Sequence, residues 1–97
     1  MTYHLTLEAD EDLYETWLYG LGRWGLEQAD NYQDQLEKMI RYLAENPQHG
    51  KDQSFIVNGL RSFPSGSHRV FYMFEEGYIT VVRVLHQSMD TERHIHN

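Results

Sequence analysis

Apolar and polar residues alternate at the start of the chain. Tyr3, Leu5 and Leu7 are separated by Thr2, His4 and Thr6 in turn, and this period of two predicts a short strand. An acidic cluster, Glu8-Ala9-Asp10-Glu11-Asp12, follows it. Leu13, Trp17 and Leu21 then recur every four residues, with Tyr14 and Leu18 one step round, which predicts a helix over about residues 10–21. Asp10 is its expected N-cap, and the acids complement the positive end of the helix dipole. The glycines of Gly20-Leu21-Gly22-Arg23-Trp24-Gly25 are expected to end that helix. A second helix is predicted from Leu26 to Glu45, with Ala29, Tyr32, Leu36, Met39, Ile40 and Leu43 on one face and a charged opposite face. Asn46-Pro47 stops it, because a residue before proline is driven out of helical geometry. Two helices about a glycine corner make a helical hairpin.

Residues 46–54 read as the main loop. From Phe55-Ile56-Val57 onward the pattern becomes that of strands. Asn58-Gly59 marks a turn or bulge before Leu60–Phe63, and Pro64-Ser65-Gly66 marks another turn. His68–Phe74 is an aromatic-rich strand, Glu75-Glu76-Gly77 a hairpin loop, and Tyr78–Leu85 a β-branched run suited to burial on both faces. The order β-α-α-β-β-β places the chain in the α+β class, with the helical hairpin packed on a twisted, mostly antiparallel sheet. The first strand, separated from the others by both helices, is expected at the sheet's edge.

At 97 residues the chain is sized for one domain spanning 1–97. The absence of cysteine removes disulfides and thiolate chemistry. With no apolar run of membrane-spanning length and no leader pattern, the expected location is the cytoplasm. The formal charge of −7 is uneven. Residues 1–49 hold 10 acids and 3 bases, whereas 50–97 hold 5 of each. Such a chain has no overall basic footprint for a phosphate backbone, so direct nucleic-acid binding is confined to a local cluster in the second half.

No Walker loop, HExxH, GxSxG or paired CxxC is present. The GxGxxG spelling at Gly20–Gly25 follows a helix, not a strand, and so lacks the context of a phosphate loop. His86, Asp90 and His94 stand four apart and would share a face if the tail were helical, a spacing that suits zinc; the plainer reading is a polar surface tail. No metal or other cofactor is expected. Arg61, Arg69 and Arg83 fall among apolar strand residues, and Arg83 is expected to share a face with Ile79, Val81 and Leu85. Each arginine is either paired with a helix acid or reserved for an anionic partner.

The chain resembles the ParE toxins of the RelE/ParE superfamily, the toxic half of type II toxin–antitoxin pairs. The resemblance runs through Trp24-Gly25, Gln28-Ala29, Tyr32, Leu36, Leu43-Ala44, Asn46-Pro47 and Gly50, then Gly59-Leu60-Arg61 and His68-Arg69-Val70-Phe71-Tyr72. Its most specific part is the stretch from Arg83-Val84-Leu85-His86 through Met89-Asp90 to Arg93-His94-Ile95. The fold it implies agrees with the order read from periodicity. It also implies a protein that poisons DNA gyrase and blocks replication, and that is neutralised by a ParD-like antitoxin whose C-terminal segment folds onto it. Operator DNA is then met only through the antitoxin in a hetero-oligomer.

On that reading Leu60, Arg61, Arg69, Phe71, Tyr72 and Arg83 are the expected antitoxin face. Arg83, His86, Met89, Asp90, Arg93 and His94 are the expected target face, and no residue is catalytic. The alternative is the RelE-like branch of ribosome-dependent mRNA endonucleases. There Arg69 would meet phosphate and His94 or His96 would act as acid–base, although Lys38 and Lys51 are the only lysines. A third reading is an antitoxin-binding module with little toxicity.

Overall fold

The computed structural model describes residues 2–95. Strand β1 (Thr2–Leu5) leads into helices α1 (Leu7–Trp24) and α2 (Leu26–Glu45). Strands β2 (Lys51–Asp52), β3 (Leu60–Ser65), β4 (His68–Glu75) and β5 (Tyr78–His86) follow, then the short helix α3 (Thr91–His94). The sheet order is β1-β5-β4-β3-β2. β1 lies at the edge, parallel to β5, while the β2–β3, β3–β4 and β4–β5 pairs are antiparallel. The α+β class and the edge position of the first strand are as expected.

The first helix begins earlier and ends later than periodicity suggests. Thr6, not Asp10, is its N-cap: the Thr6 hydroxyl accepts from Ala9 N at 3.0 Å and donates to the Val82 carbonyl at 2.8 Å. Thr6 N also donates to the Val81 carbonyl at 3.0 Å. Leu7 is therefore the first helical residue, exposed rather than on the strand. Tertiary bonds to β5 decide this boundary, and no local alternation reports them.

Gly20 and Gly22 lie inside α1, which continues to Trp24. Gly20 packs against α2, where a Cβ would come 3.4 Å from that of Ala29. Gly25 alone makes the corner, at φ 94°: its N–H caps the Leu21 carbonyl at 3.1 Å, and its carbonyl accepts the Ala29 N–H of α2 at 3.0 Å. The second helix has the bounds expected of it.

Phe55–Val57 is not a strand. Backbone bonds from Gln53 N to the Leu60 carbonyl (2.8 Å) and from Leu60 N to the Val57 carbonyl (3.0 Å) fold the segment back as a turn. β3 runs on through Pro64 and Ser65, so the chain reverses about Gly66. Pro64 is tolerated because the two-residue β2 pairs only with Arg61 and Ser62, and no neighbour on that side needs the missing N–H.

The sheet is covered on both faces. Against the helices lie Val70, Tyr72, Ile79, Val81 and Val84, meeting Ala9, Leu36, Ile40, Leu43 and Ala44. On the other face Leu60, Phe71 and Leu85 are sealed by Ile95 from the tail and partly by Ile56 and Val57. A bulge allows this. Phe71 pairs with Arg83 but Tyr72 pairs with Val81, leaving Val82 as the extra residue. Ile79, Val81 and Val84 consequently face the helices, while Leu85 faces away, so the expected single face of Ile79, Val81, Arg83 and Leu85 does not exist.

Candidate partner-binding groove

The helical hairpin overhangs the end of the sheet where β3 turns into β4 and β5 ends. A groove of about 1010 Å³ opens there, walled by α1 and α2, floored by His68, Val84 and His86, with Met89 also lining it. Asp12 and Glu15 line it, and no lysine or arginine does. Tyr19 and Trp24, 62% and 61% exposed, stand edge to face in its wall at 5.8 Å. The Arg23 guanidinium lies 5.8 Å from the Trp24 ring centre. Adjoining aromatic rings exposed in a groove are the kind of surface that anchors a partner.

A polar circuit lies beneath. The Tyr32 hydroxyl is 2.6 Å from His68 Nδ1, 3.3 Å from the Ser65 carbonyl, and accepts from Ser67 N at 2.9 Å. His68 Nε2 is 3.4 Å from the Thr16 hydroxyl, which itself donates to the Asp12 carbonyl at 2.8 Å. The ring of His86 meets His68 edge on at 5.3 Å, and His86 Nδ1 accepts from Ser88 N at 3.1 Å. Burial, reinforced by His86, holds the His68 imidazole below its ordinary range, with Asp12 opposing.

Asp12 knits the groove to the sheet. Its carboxylate accepts from Arg83 Nε at 2.7 Å, Arg83 Nη2 at 2.8 Å and Val84 N at 2.9 Å, beside the bulge. Arg83 Nη1 donates to the His94 carbonyl at 3.1 Å, binding the tail as well. The hydrogen bond to Asp12 leads the rise of the Arg83 guanidinium above its ordinary value. Arg83 thus takes the internal ion pair rather than standing free for an anionic partner.

The six residues of the expected antitoxin face are dispersed in purpose. Leu60 and Phe71 are buried under Ile95, and Tyr72 is buried under the helices. The Tyr72 hydroxyl donates to the Pro47 carbonyl at 2.6 Å and accepts from Gly50 N at 2.8 Å; burial pushes its phenol up. Arg61 Nη1 donates to the Gly50 carbonyl at 2.8 Å. Together these pin the Asn46–Gly50 loop to the sheet. Arg69, half-buried and paired across strands with Pro64 and Leu85, is the arginine of the set whose side chain makes no hydrogen bond or ion pair among the described residues.

Of the expected target face, His86 and Met89 line the groove. Asp90 caps α3 by accepting Glu92 N at 3.1 Å, and Arg93 and His94 are exposed on that helix. The zinc arrangement of His86, Asp90 and His94 does not form, because His86 ends a strand and helix begins only at Thr91. Among the described residues no three such side chains converge on a metal position. His96 lies outside the described residues. Thr16, Tyr19, Tyr32 and His68 were not expected in the site: Tyr32 is 36 residues from His68 in sequence, and only the packing of α2 on the β3–β4 turn joins them.

Comparison with known proteins settles the family. The family described as "ParE toxin of type II toxin-antitoxin system, parDE" matches residues 3–91. The chain belongs to the ParE toxin family. It is 40% identical over 93 residues to the toxin ParE1 of Caulobacter vibrioides, covering 96% of each chain. It is 42% identical over 94 residues to the toxin ParE1 of Mycobacterium tuberculosis, again covering 96% of each. A solved structure titled "Chromosomal ParDE TA system from P. aeruginosa" has the same fold, with a TM-score of 0.76 at 17% identity, covering 89% of this chain and 95% of that one. The chain is therefore the toxin component of a type II pair, and its ParE fold carries the groove just described. Among the described residues no helix is long and apolar enough to cross a membrane.

Proposed function

We propose that this ParE toxin acts by binding DNA gyrase and trapping it on cut DNA, and that a ParD-like antitoxin silences it by occupying the groove between the hairpin and the sheet. The observation that carries this reading is the groove itself: exposed Tyr19 and Trp24 above a floor of His68 and His86, in a chain of the ParE family. Poisoning another enzyme needs affinity for one of its conformations, not acid–base groups of the poison's own. The lip formed by His86 and Met89, continued by Asp90, Arg93 and His94, is the proposed target surface. An antitoxin segment seated in the groove would cover Met89 and so compete with gyrase. Arg69, free on the far face of the sheet, offers a wrapping antitoxin a charged anchor.

The test sets a gyrase supercoiling and cleavage assay beside a ribosome-dependent mRNA cleavage assay, using the purified chain. Linear DNA accumulating with gyrase, at toxin concentrations comparable to the enzyme and reversed by antitoxin, is the expected result. Cut message with gyrase unaffected would overturn it in favour of the RelE-like reading.

A further inference from the structure

The floor of the groove contains a hydrogen-bond circuit that is complete in two protonation states. In the first, His68 is neutral. Tyr32 donates its proton to His68 Nδ1 across 2.6 Å, and the opposite ring nitrogen carries the hydrogen that points at the Thr16 hydroxyl, 3.4 Å away. Thr16 can accept there because its own proton is spent on the Asp12 carbonyl. In the second state His68 is cationic. Its Nδ1–H now donates to the Tyr32 oxygen, so the Tyr32 proton must turn elsewhere, and the Ser65 carbonyl stands ready at 3.3 Å. Ser67 N–H donates to the Tyr32 oxygen in both states, and Thr16 keeps its role in both.

The circuit turns on the proton of His68, whose ring stands edge on to that of His86 at 5.3 Å. His86 Nδ1 lies outside that circuit, accepting from Ser88 N at 3.1 Å and standing 2.7 Å from the Ser88 hydroxyl. The charged and titratable groups around His68 are Asp12 and Glu15 from α1, Tyr32 from α2, and His86 and Arg83 from β5, with Asp12 held by Arg83. The turn between β3 and β4 closes on the hydroxyl: a Cβ at Gly66 would lie 2.7 Å from the Tyr32 oxygen. The hydroxyl therefore has two acceptors and little other room.

We propose that Tyr32 and His68 form a proton-driven latch under the groove, in which protonation of His68 turns the Tyr32 hydroxyl to the Ser65 carbonyl and a seated partner selects the neutral state. A partner covering the groove removes the remaining water from His68, and desolvation disfavours the charged imidazole. Binding at low pH must then expel a proton, so affinity falls as pH drops below the titration midpoint of the free chain, by at most about tenfold per pH unit for one proton. The link to a partner rests on the proposed role of the groove; the latch itself does not.

Two measurements on the whole chain separate these parts. The first follows nitrogen and carbon NMR shifts of the free protein over about pH 5 to 8. His68 Nδ1 should be unprotonated at high pH and gain its proton on acidification, and the Tyr32 Cζ and Ser65 carbonyl carbon should move with the same midpoint. A proton already on Nδ1 at high pH, or Tyr32 and Ser65 shifts independent of His68, overturns the latch. The second measures affinity for the cognate ParD-like antitoxin across the same range, in the wild type and in His68→Gln. The wild type should lose affinity on acidification and the variant should lose less of it; identical pH profiles overturn the coupling. Absence of antitoxin binding at every pH instead refutes the role of the groove, with the free-chain titration still deciding the latch.

Discussion

Gly50 shows how one small residue can fix a loop. A Cβ there would lie 2.3 Å from the Tyr72 hydroxyl, which is fully buried and already committed to Pro47 and to Gly50 itself. Gly50→Ala must push Tyr72 aside and break both bonds. It should cost about 3 kcal/mol in urea unfolding, while the same change at the uncrowded Gly22 should not. His68 supplies the pH signature at this scale. Its folded-state value is depressed from the ordinary 6.5, so the unfolded chain binds the proton more tightly. This share of stability is full above 6.5, declines as pH falls through it, and levels off below the folded value. Urea midpoints measured across that window should flatten in His68→Gln. The sequence displayed Tyr32 as one more core-facing residue and His68 as one of six histidines. Their meeting depends on side chains from distant elements, so neither residue announced the site.

At the scale of elements, what could be read depended on whether local chemistry decided the boundary. α2 was legible at both ends because Gly25 takes a positive φ and Asn46-Pro47 stops a helix without tertiary help. α1 was not, since Thr6 is bound to Val81 and Val82 of β5 and glycine inside the helix is offset by packing on Ala29. The bulge at Val82 was equally silent, and it redirected Val84 and Leu85 to opposite faces. The two glycines at the end of the hairpin should respond in opposite directions. Gly22→Ala adds a helix-favouring methyl in open space and should stabilise by about 0.5–1 kcal/mol. Gly25→Ala places a side chain at φ 94° and should destabilise by about 1–2 kcal/mol. Denaturant unfolding of the two variants reads both signs.

For the whole molecule, the uneven charge found in the sequence acquires a location. The acid-rich first half forms the hairpin, so the groove has carboxylates and aromatic rings but no lysine or arginine in its lining. Arginines that seemed available for partners are largely spent inside: Arg83 on Asp12 and the tail, Arg61 on the Asn46–Gly50 loop. With Arg83 and Arg61 held internally, recognition at the groove is left to its exposed apolar side chains, Tyr19, Trp24 and Met89. The most direct measurement is the affinity of the cognate antitoxin for a Tyr19→Ala/Trp24→Ala double variant, with circular dichroism verifying that the fold is retained. If the groove is the seat, binding should weaken by about thirtyfold or more, the loss of at least one aromatic hot spot. Wild-type affinity in a folded double variant would contradict the account.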